Sequence, residues 1–203
     1  DGQNYTFDAV LYATGRRPNT TNIGLENTDI TTNERGAIVV NDTCESSVPG
    51  VYAVGDVNGG PQFTYISLDD FRIVFGALTG NGHYTLKDRK NIPYTTFLTP
   101  PLARVGLTEE DAINKGYTVK TKEMLVATMP RAHVNDNLKG AFKIVVDAES
   151  NLILGATLYS QSAEELINMI KVAMDNNIPY TYFKNQIFTH PTMAENLNDL
   201  CNF

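Results

Sequence analysis

The 203 residues carry 16 Lys plus Arg against 23 Asp plus Glu, a net charge of −7. That balance excludes a chain built to coat nucleic acid, where clustered positive charge supplies most of the affinity, and a polybasic membrane-surface protein. With 42% apolar and 19% charged residues there is material for a packed core rather than a disordered chain, and no apolar run reaches the roughly 18 residues that span a bilayer.

The opening residues Asp1-Gly2-Gln3-Asn4 show no signal segment, and the absence of an initial Met points to a fragment. Asn4 to Ala13 ends in Ala9-Val10-Leu11-Tyr12-Ala13 and stops at Thr14-Gly15, which predicts a short buried strand. Residues 16–36 are polar and Asn/Thr-rich and read as loop. Ala37–Val40 and Val51–Val54 read as two more short strands, the second running into Gly55-Asp56. Ile66 to Leu78 has too wide an apolar stripe for a surface helix, so a helix buried between layers is expected, ended by Gly80 or Gly82. The charged stretch 83–93 is the expected domain boundary.

The second half reads as α+β. Tyr94 to Leu107 is strand-like around Pro100-Pro101, and Thr108 caps a helix with acids in its first turn that ends at Gly116. Tyr117 to Ala127 alternates as a strand. Phe142–Val146 and Leu152–Tyr159 form a hairpin about residues 147–151. Ser162 caps a helix with Ala163, Leu166, Ile167 and Ile170 on one face. Pro179 opens a short helix, and Thr192 starts a last one after His190-Pro191. The face from Ala163 to Ile170, with Leu197 and Leu200, offers more apolar surface than a small sheet covers, so it is the expected dimer contact.

Three places carry chemistry-bearing residues. Val54-Gly55-Asp56 is either an ordinary Gly-Asp turn or a strand end presenting a carboxylate to a ligand's hydroxyls. Thr192 and Glu195 have the spacing of a capping box, which leaves His190 unexplained; an imidazole beside a carboxylate on a stiff X-Pro turn is suited to acid–base work. Arg16-Arg17-Pro18 is either an anion site or a crossover with solvated arginines. His83 and His133 read as surface or satisfied histidines. Cys44 and Cys201 are far apart, which excludes a close-spaced redox pair or zinc cluster. They read as small buried hydrophobes in a reducing, cytoplasmic setting. No metal site is expected.

Taken in order, Ala13-Thr14-Gly15-Arg16-Arg17-Pro18-Asn19, Val48-Pro49-Gly50-Val51-Tyr52-Ala53-Val54-Gly55-Asp56, Val105-Gly106-Leu107-Thr108-Glu109 and His190-Pro191-Thr192-Met193-Ala194-Glu195 resemble the pyridine nucleotide-disulfide oxidoreductases. This is the flavoprotein family of glutathione reductase, dihydrolipoamide dehydrogenase and mercuric reductase, and the ending looks most like the mercuric-reductase-like branch. The resemblance implies an FAD-dependent NAD(P)H oxidoreductase acting on disulfide-type acceptors, of which this chain is the C-terminal part. Residues 1–14 would end the NAD(P)H-binding domain, and 15–82 would be the returning segment of the α/β FAD-binding domain. Residues 91–203 would be an α+β dimerisation domain forming a homodimer. The FAD pyrophosphate fingerprint, the redox cysteines and the nicotinamide site would lie outside this chain. By the same resemblance Gly55 and Asp56 meet the ribityl chain, and Gln62, Phe63, Thr64 and Tyr65 open the helix that faces the flavin. His190 is the acid–base group acting on the partner subunit's thiols, and Glu195 is its orienting carboxylate. Mercuric reductase proper has tyrosine for this histidine and ends in a vicinal Cys pair, so His190 and a lone Cys201 favour thiol chemistry over metal-ion relay. The rival is a stand-alone dimerisation or binding module with no cofactor or activity of its own. In either case the fragment is not expected to hold FAD tightly or to turn over alone.

Overall fold

Residues 2–203 are described in a computed structural model; Asp1, the first position of the 1–14 segment, lies outside the described residues. The chain divides into one unit up to Arg89 and a second from Lys90 to Phe203. None of the helices is long and apolar enough to cross a membrane, among the described residues.

The first unit is built on a single long helix, α1 (Thr64–Thr79), closed by Gly80 in the left-handed conformation (φ 67°) that glycine adopts without a Cβ clash. The expected strands are reduced to isolated bridges, Thr32 with Ile38 and Glu45 with Tyr52. The run 9–13 is not a buried strand: Leu11 is 89% exposed, and Val10 and Tyr12 are exposed with it. A strand needs a neighbour to take its backbone N–H and C=O groups, and among the described residues none pairs with this run. Nor is α1 buried on all sides. Ile66, Asp70 and Ile73 face inward, while Leu68, Phe71, Phe75 and Leu78 are exposed. Within this unit α1 packs against the Gly55–Asn58 turn, and Ala37, Ile38, Cys44 and Ala53 are the other buried apolar residues, which is cover for one stripe only.

The second unit is a five-stranded antiparallel sheet with helices. The strands are β1 (Tyr94–Thr96), β2 (Leu102–Gly106), β3 (Val119–Leu125), β4 (Ala141–Asp147) and β5 (Ile153–Tyr159), in the order β1-β2-β5-β4-β3. β4 and β5 are the expected hairpin, paired Phe142 to Leu158 and Ile144 to Ala156 with a bulge at Val145/Val146. The Thr99–Pro100 and His190–Pro191 peptide bonds are cis. α2 (Glu109–Asn114) starts on a reciprocal box: the Asp111 N–H donates to Thr108 Oγ1 at 3.0 Å, and the Thr108 N–H donates to the Asp111 carboxylate. α3 (Pro130–Val134) follows β3.

α4 (Ala163–Asp175) lies over β2 and β5. Ser162 stands at its start, but in the left-handed conformation (φ 65°) and with no side-chain cap; its carbonyl instead accepts from Glu165 and Leu166. Ala163, Leu166, Ile167, Ile170, Leu197 and Leu200 are all buried inside this unit's own core, which corrects the expectation that they form the dimer contact. The sheet and the C-terminal helices cover them. Exposed apolar side chains include Phe97 (80%), Leu98 and Ile187 (91%), and, on the outer side of α4 itself, Met169 and Val172. α5 (Tyr180–Asn185) starts after Pro179. The last helix, α6 (Asn196–Leu200), begins four residues later than Thr192. Lys122 of β3 donates to the carbonyls of Asp199 and Asn202 at 2.7 and 2.6 Å, a cation placed where a helix end is electronegative.

Candidate functional site

In the first unit the site is a single 3-10 turn, Gly55–Asn58, seated against the first turns of α1. Gly55 has φ +74°, and a Cβ there would stand 2.8 Å from Ser67 Oγ, so only glycine lets this turn approach the helix. The Gly55 N–H donates to Asp70 Oδ2 at 2.7 Å, and Asn58 Nδ2 donates to the same oxygen at 2.9 Å. The other Asp70 oxygen takes Arg89 Nη2 at 2.5 Å, while Arg89 Nε donates to Asp69 at 2.8 Å. Asp70 has no exposed surface, and a buried carboxylate survives only when paired and hydrogen-bonded in this way. This anchor was not read from the sequence. Its signal is an acid at the i+4 position between the inward-facing Ile66 and Ile73.

Held from behind, the turn presents Asp56 outward with its side chain 48% exposed. Arg16 reaches across: Nη1 donates to Asp56 Oδ2 at 3.3 Å and Nη2 to the Gln62 carbonyl at 2.9 Å. Arg16 is therefore neither purely solvated nor a lone anion site. So wet an ion pair is worth about 0–1 kcal/mol and is easily displaced. Gln62 leads into α1, whose N-cap residue Phe63 supplies no side-chain cap before the helix begins at Thr64. The Phe63 and Tyr65 rings stack 5.1 Å apart. Gly55, Asp56, Gln62, Phe63, Thr64 and Tyr65 thus gather at one end of α1. A carboxylate and a helix start placed together can accept hydroxyl hydrogen bonds and favour negative charge.

In the second unit, His190 Nδ1 lies 2.7 Å from Glu195 Oε2. The other oxygen, Oε1, accepts the Thr192 N–H at 3.0 Å, and the Glu195 N–H donates to Thr192 Oγ1 at 3.2 Å. Cap and histidine contact coexist on one carboxylate. Burial pushes the Glu195 carboxyl up, but the hydrogen bond from His190, the Thr192 amide and the imidazole's charge together hold it below its ordinary range. An ionised carboxylate only accepts, so Nδ1 carries the proton and the ring's orientation is fixed. The imidazole is 69% exposed against 18% for Glu195, and among the described residues Nε2 has no partner. An oriented, exposed imidazole with one nitrogen unengaged among the described residues can exchange a proton with a group brought to it.

Two residues missed by the sequence reading support this corner. Asn196, nearly buried, donates to the Thr192 and Met193 carbonyls, and Asn198 donates to carbonyls of α5 and beyond. His133 Nε2 donates to the Ala127 carbonyl at 2.8 Å. Cys44 and Cys201 are fully buried. Burial, helped by Asp70, pushes the Cys44 thiol up to about 11, and burial pushes Cys201 up to about 12 against the opposing charge of Lys122. Neither is a ready nucleophile. No group of three His, Cys, Asp or Glu gathers for a metal ion, among the described residues.

Comparison with known proteins matches both units. Residues 92–201 match the family profile described as pyridine nucleotide-disulphide oxidoreductase, dimerisation domain. Residues 1–70 match that described as pyridine nucleotide-disulphide oxidoreductase. The chain is 48% identical over 193 residues to the probable pyridine nucleotide-disulfide oxidoreductase RclA of Escherichia coli K12, covering 95% of this chain and 44% of that protein. It is 36% identical over 190 residues to a mercuric reductase of Staphylococcus aureus, covering 94% and 35%. The solved structure of the HOCl-induced flavoprotein disulfide reductase RclA from Escherichia coli superimposes with a TM-score of 0.91 at 47% identity, over 93% of this chain and 43% of that one. The chain thus spans less than half the length of these relatives.

Proposed function

We infer the function from one premise: this chain belongs to the pyridine nucleotide-disulphide oxidoreductase family. It is the C-terminal part of an FAD-dependent NAD(P)H oxidoreductase acting on disulfide-type acceptors. Residues 1–14 close the nicotinamide domain, 15–82 return to the FAD-binding domain, and 91–203 form the dimerisation domain of a homodimer. The exposed Phe97, Leu98 and Ile187 supply apolar surface for that contact.

The end of α1 suits the flavin. Gly55 allows close approach of backbone, Asp56 is half exposed behind a weak ion pair, and the helix start carries no side-chain cap. Asp56 would accept ribityl hydroxyls in place of Arg16, and Gln62, Phe63, Thr64 and Tyr65, at the start of α1, would hold the flavin where the helix dipole favours negative charge. When bound, FAD passes reducing equivalents from NAD(P)H toward the acceptor.

The chain's own part in the chemistry is proton transfer. His190 Nε2 takes the proton from a thiol, leaving the thiolate that attacks a disulfide, and returns it to the leaving thiolate. Glu195 fixes the Nδ1 tautomer and balances the charge that forms on the ring. The observation that carries this reading is the 2.7 Å contact between Glu195 Oε2 and His190 Nδ1 on an imidazole that is itself 69% exposed. Stopped-flow separation of the half-reactions in the full-length flavoenzyme tests it. His190→Gln is expected to slow reoxidation by a disulfide acceptor by about 10²–10⁴-fold and to spare reduction by NAD(P)H. Reoxidation at the wild-type rate would return Glu195 to capping alone.

A further inference from the structure

The segment that carries His190 is short of support. Residues 184–187 and 189–190 are exposed, and Phe188 alone packs partly against the core. One side chain spans its ends. Asn198, in the first turn of α6, donates through Nδ2 to the carbonyls of Phe183 at 2.7 Å, Gln186 at 2.9 Å and Lys184 at 3.3 Å. The first two are the stronger bonds by distance. Carbonyls at the end of a helix lack intrahelical partners, so this amide finishes α5 and fixes where the chain leaves it. The backbone N–H of the same residue donates to the Glu195 carbonyl at 3.0 Å. Asn198 therefore joins, within one residue, the departure point of the loop and the residue that orients the imidazole.

We propose that Asn198 is a positioning residue for His190, its side-chain amide closing the 186–198 loop so that Nε2 is presented in one place. The proposal rests on the acid–base reading of His190. A loop tied at both ends samples fewer conformers, and displacement of a reacting group by about 1 Å costs on the order of 10²-fold in rate. Loss of the tie lets the ring and Glu195 move together, keeping their mutual bond while losing their aim.

The test is a double-mutant cycle in the full-length flavoenzyme. Asn198→Asp keeps the shape and removes both donors, and an acid in a helix's first turn suits the dipole, so α6 is retained. Reoxidation by a disulfide acceptor is expected to slow by about 10–100-fold, with reduction by NAD(P)H unchanged. Asn198→Ser, which keeps one shorter donor, should fall between the two. In the His190→Gln background Asn198→Asp should add nothing further, because there is no longer a ring to aim. Equal slowing in both backgrounds, or slowing of both half-reactions, would show a merely structural role and overturn the proposal. Unchanged reoxidation in Asn198→Asp and Asn198→Ser overturns it alone. Unchanged reoxidation in His190→Gln overturns it together with the acid–base reading, so the two failures are told apart.

Discussion

The backbone N–H of Gly55 and the carboxylate of Asp70 meet at 2.7 Å inside the first unit, although fifteen residues separate them in the chain. Asp70 collects that amide, the Asn58 side chain and the Arg89 guanidinium, so the turn that presents Asp56 is held by a charge no solvent reaches. Replacing Asp70 with Ala leaves a donor without its acceptor and the nearly buried Arg89 without one of its two partners. The expected loss is about 3 kcal/mol, read as a lowered thermal midpoint of the first unit's transition. A change within about 0.5 kcal/mol would show that the turn holds itself.

Glu195→Gln separates the two duties of that side chain. A Gln oxygen still accepts the Thr192 N–H, so the cap survives and the loss at neutral pH is expected to be about 1 kcal/mol or less. Acid changes the comparison. The folded Glu195 carboxyl lies below its ordinary range, so its contribution is present above about pH 4.3 and is lost as pH falls through the folded value. Melting wild type and variant side by side from pH 7 to pH 3 should show the gap closing at the acid end. A gap constant over that range would contradict the ionised contact.

The two thiols make a prediction of opposite sign. Folded Cys44 and Cys201 are raised to about 11 and about 12, while an unfolded thiol titrates near 8.5. The folded state therefore holds protons that the unfolded state sheds. Stability from this source is complete below about pH 8.5 and falls as pH rises toward the folded values. Cys201→Ala should flatten the loss of thermal midpoint between pH 8.5 and 10.5. In the native protein at pH 8, neither thiol should react with an aromatic disulfide reagent until denaturant is added. Rapid native labelling would contradict the burial of both side chains.

What the sequence made legible was local. The β4–β5 hairpin, the Thr108 cap and the start of α5 after Pro179 follow from turn residues, caps and period-2 alternation, and each is decided within a few residues. The misjudged elements depend on what lies opposite. An apolar stripe says that a face wants cover, not what covers it. The Ala163–Ile170 face is covered by its own sheet, whereas the 9–13 run and the outer stripe of α1 meet no partner among the described residues. At the site, Thr192 and Glu195 were legible from their spacing of three. The contact from Glu195 back to His190 spans five residues and depends on the turn between them, which no regular period encodes. Asp70 was legible in principle as a charge on an apolar stripe, but its partners Gly55 and Arg89 lie fifteen residues before it and nineteen after.

The divided carboxylate of Glu195 bears on how related sequences are to be read. One oxygen is committed to the backbone and the other to the imidazole, so two structural requirements meet in a single side chain. A lineage that traded His190 for another residue could keep this glutamate for the turn alone. Its persistence would then be silent about chemistry, and the informative substitution is glutamine, which satisfies the turn and relinquishes the charge.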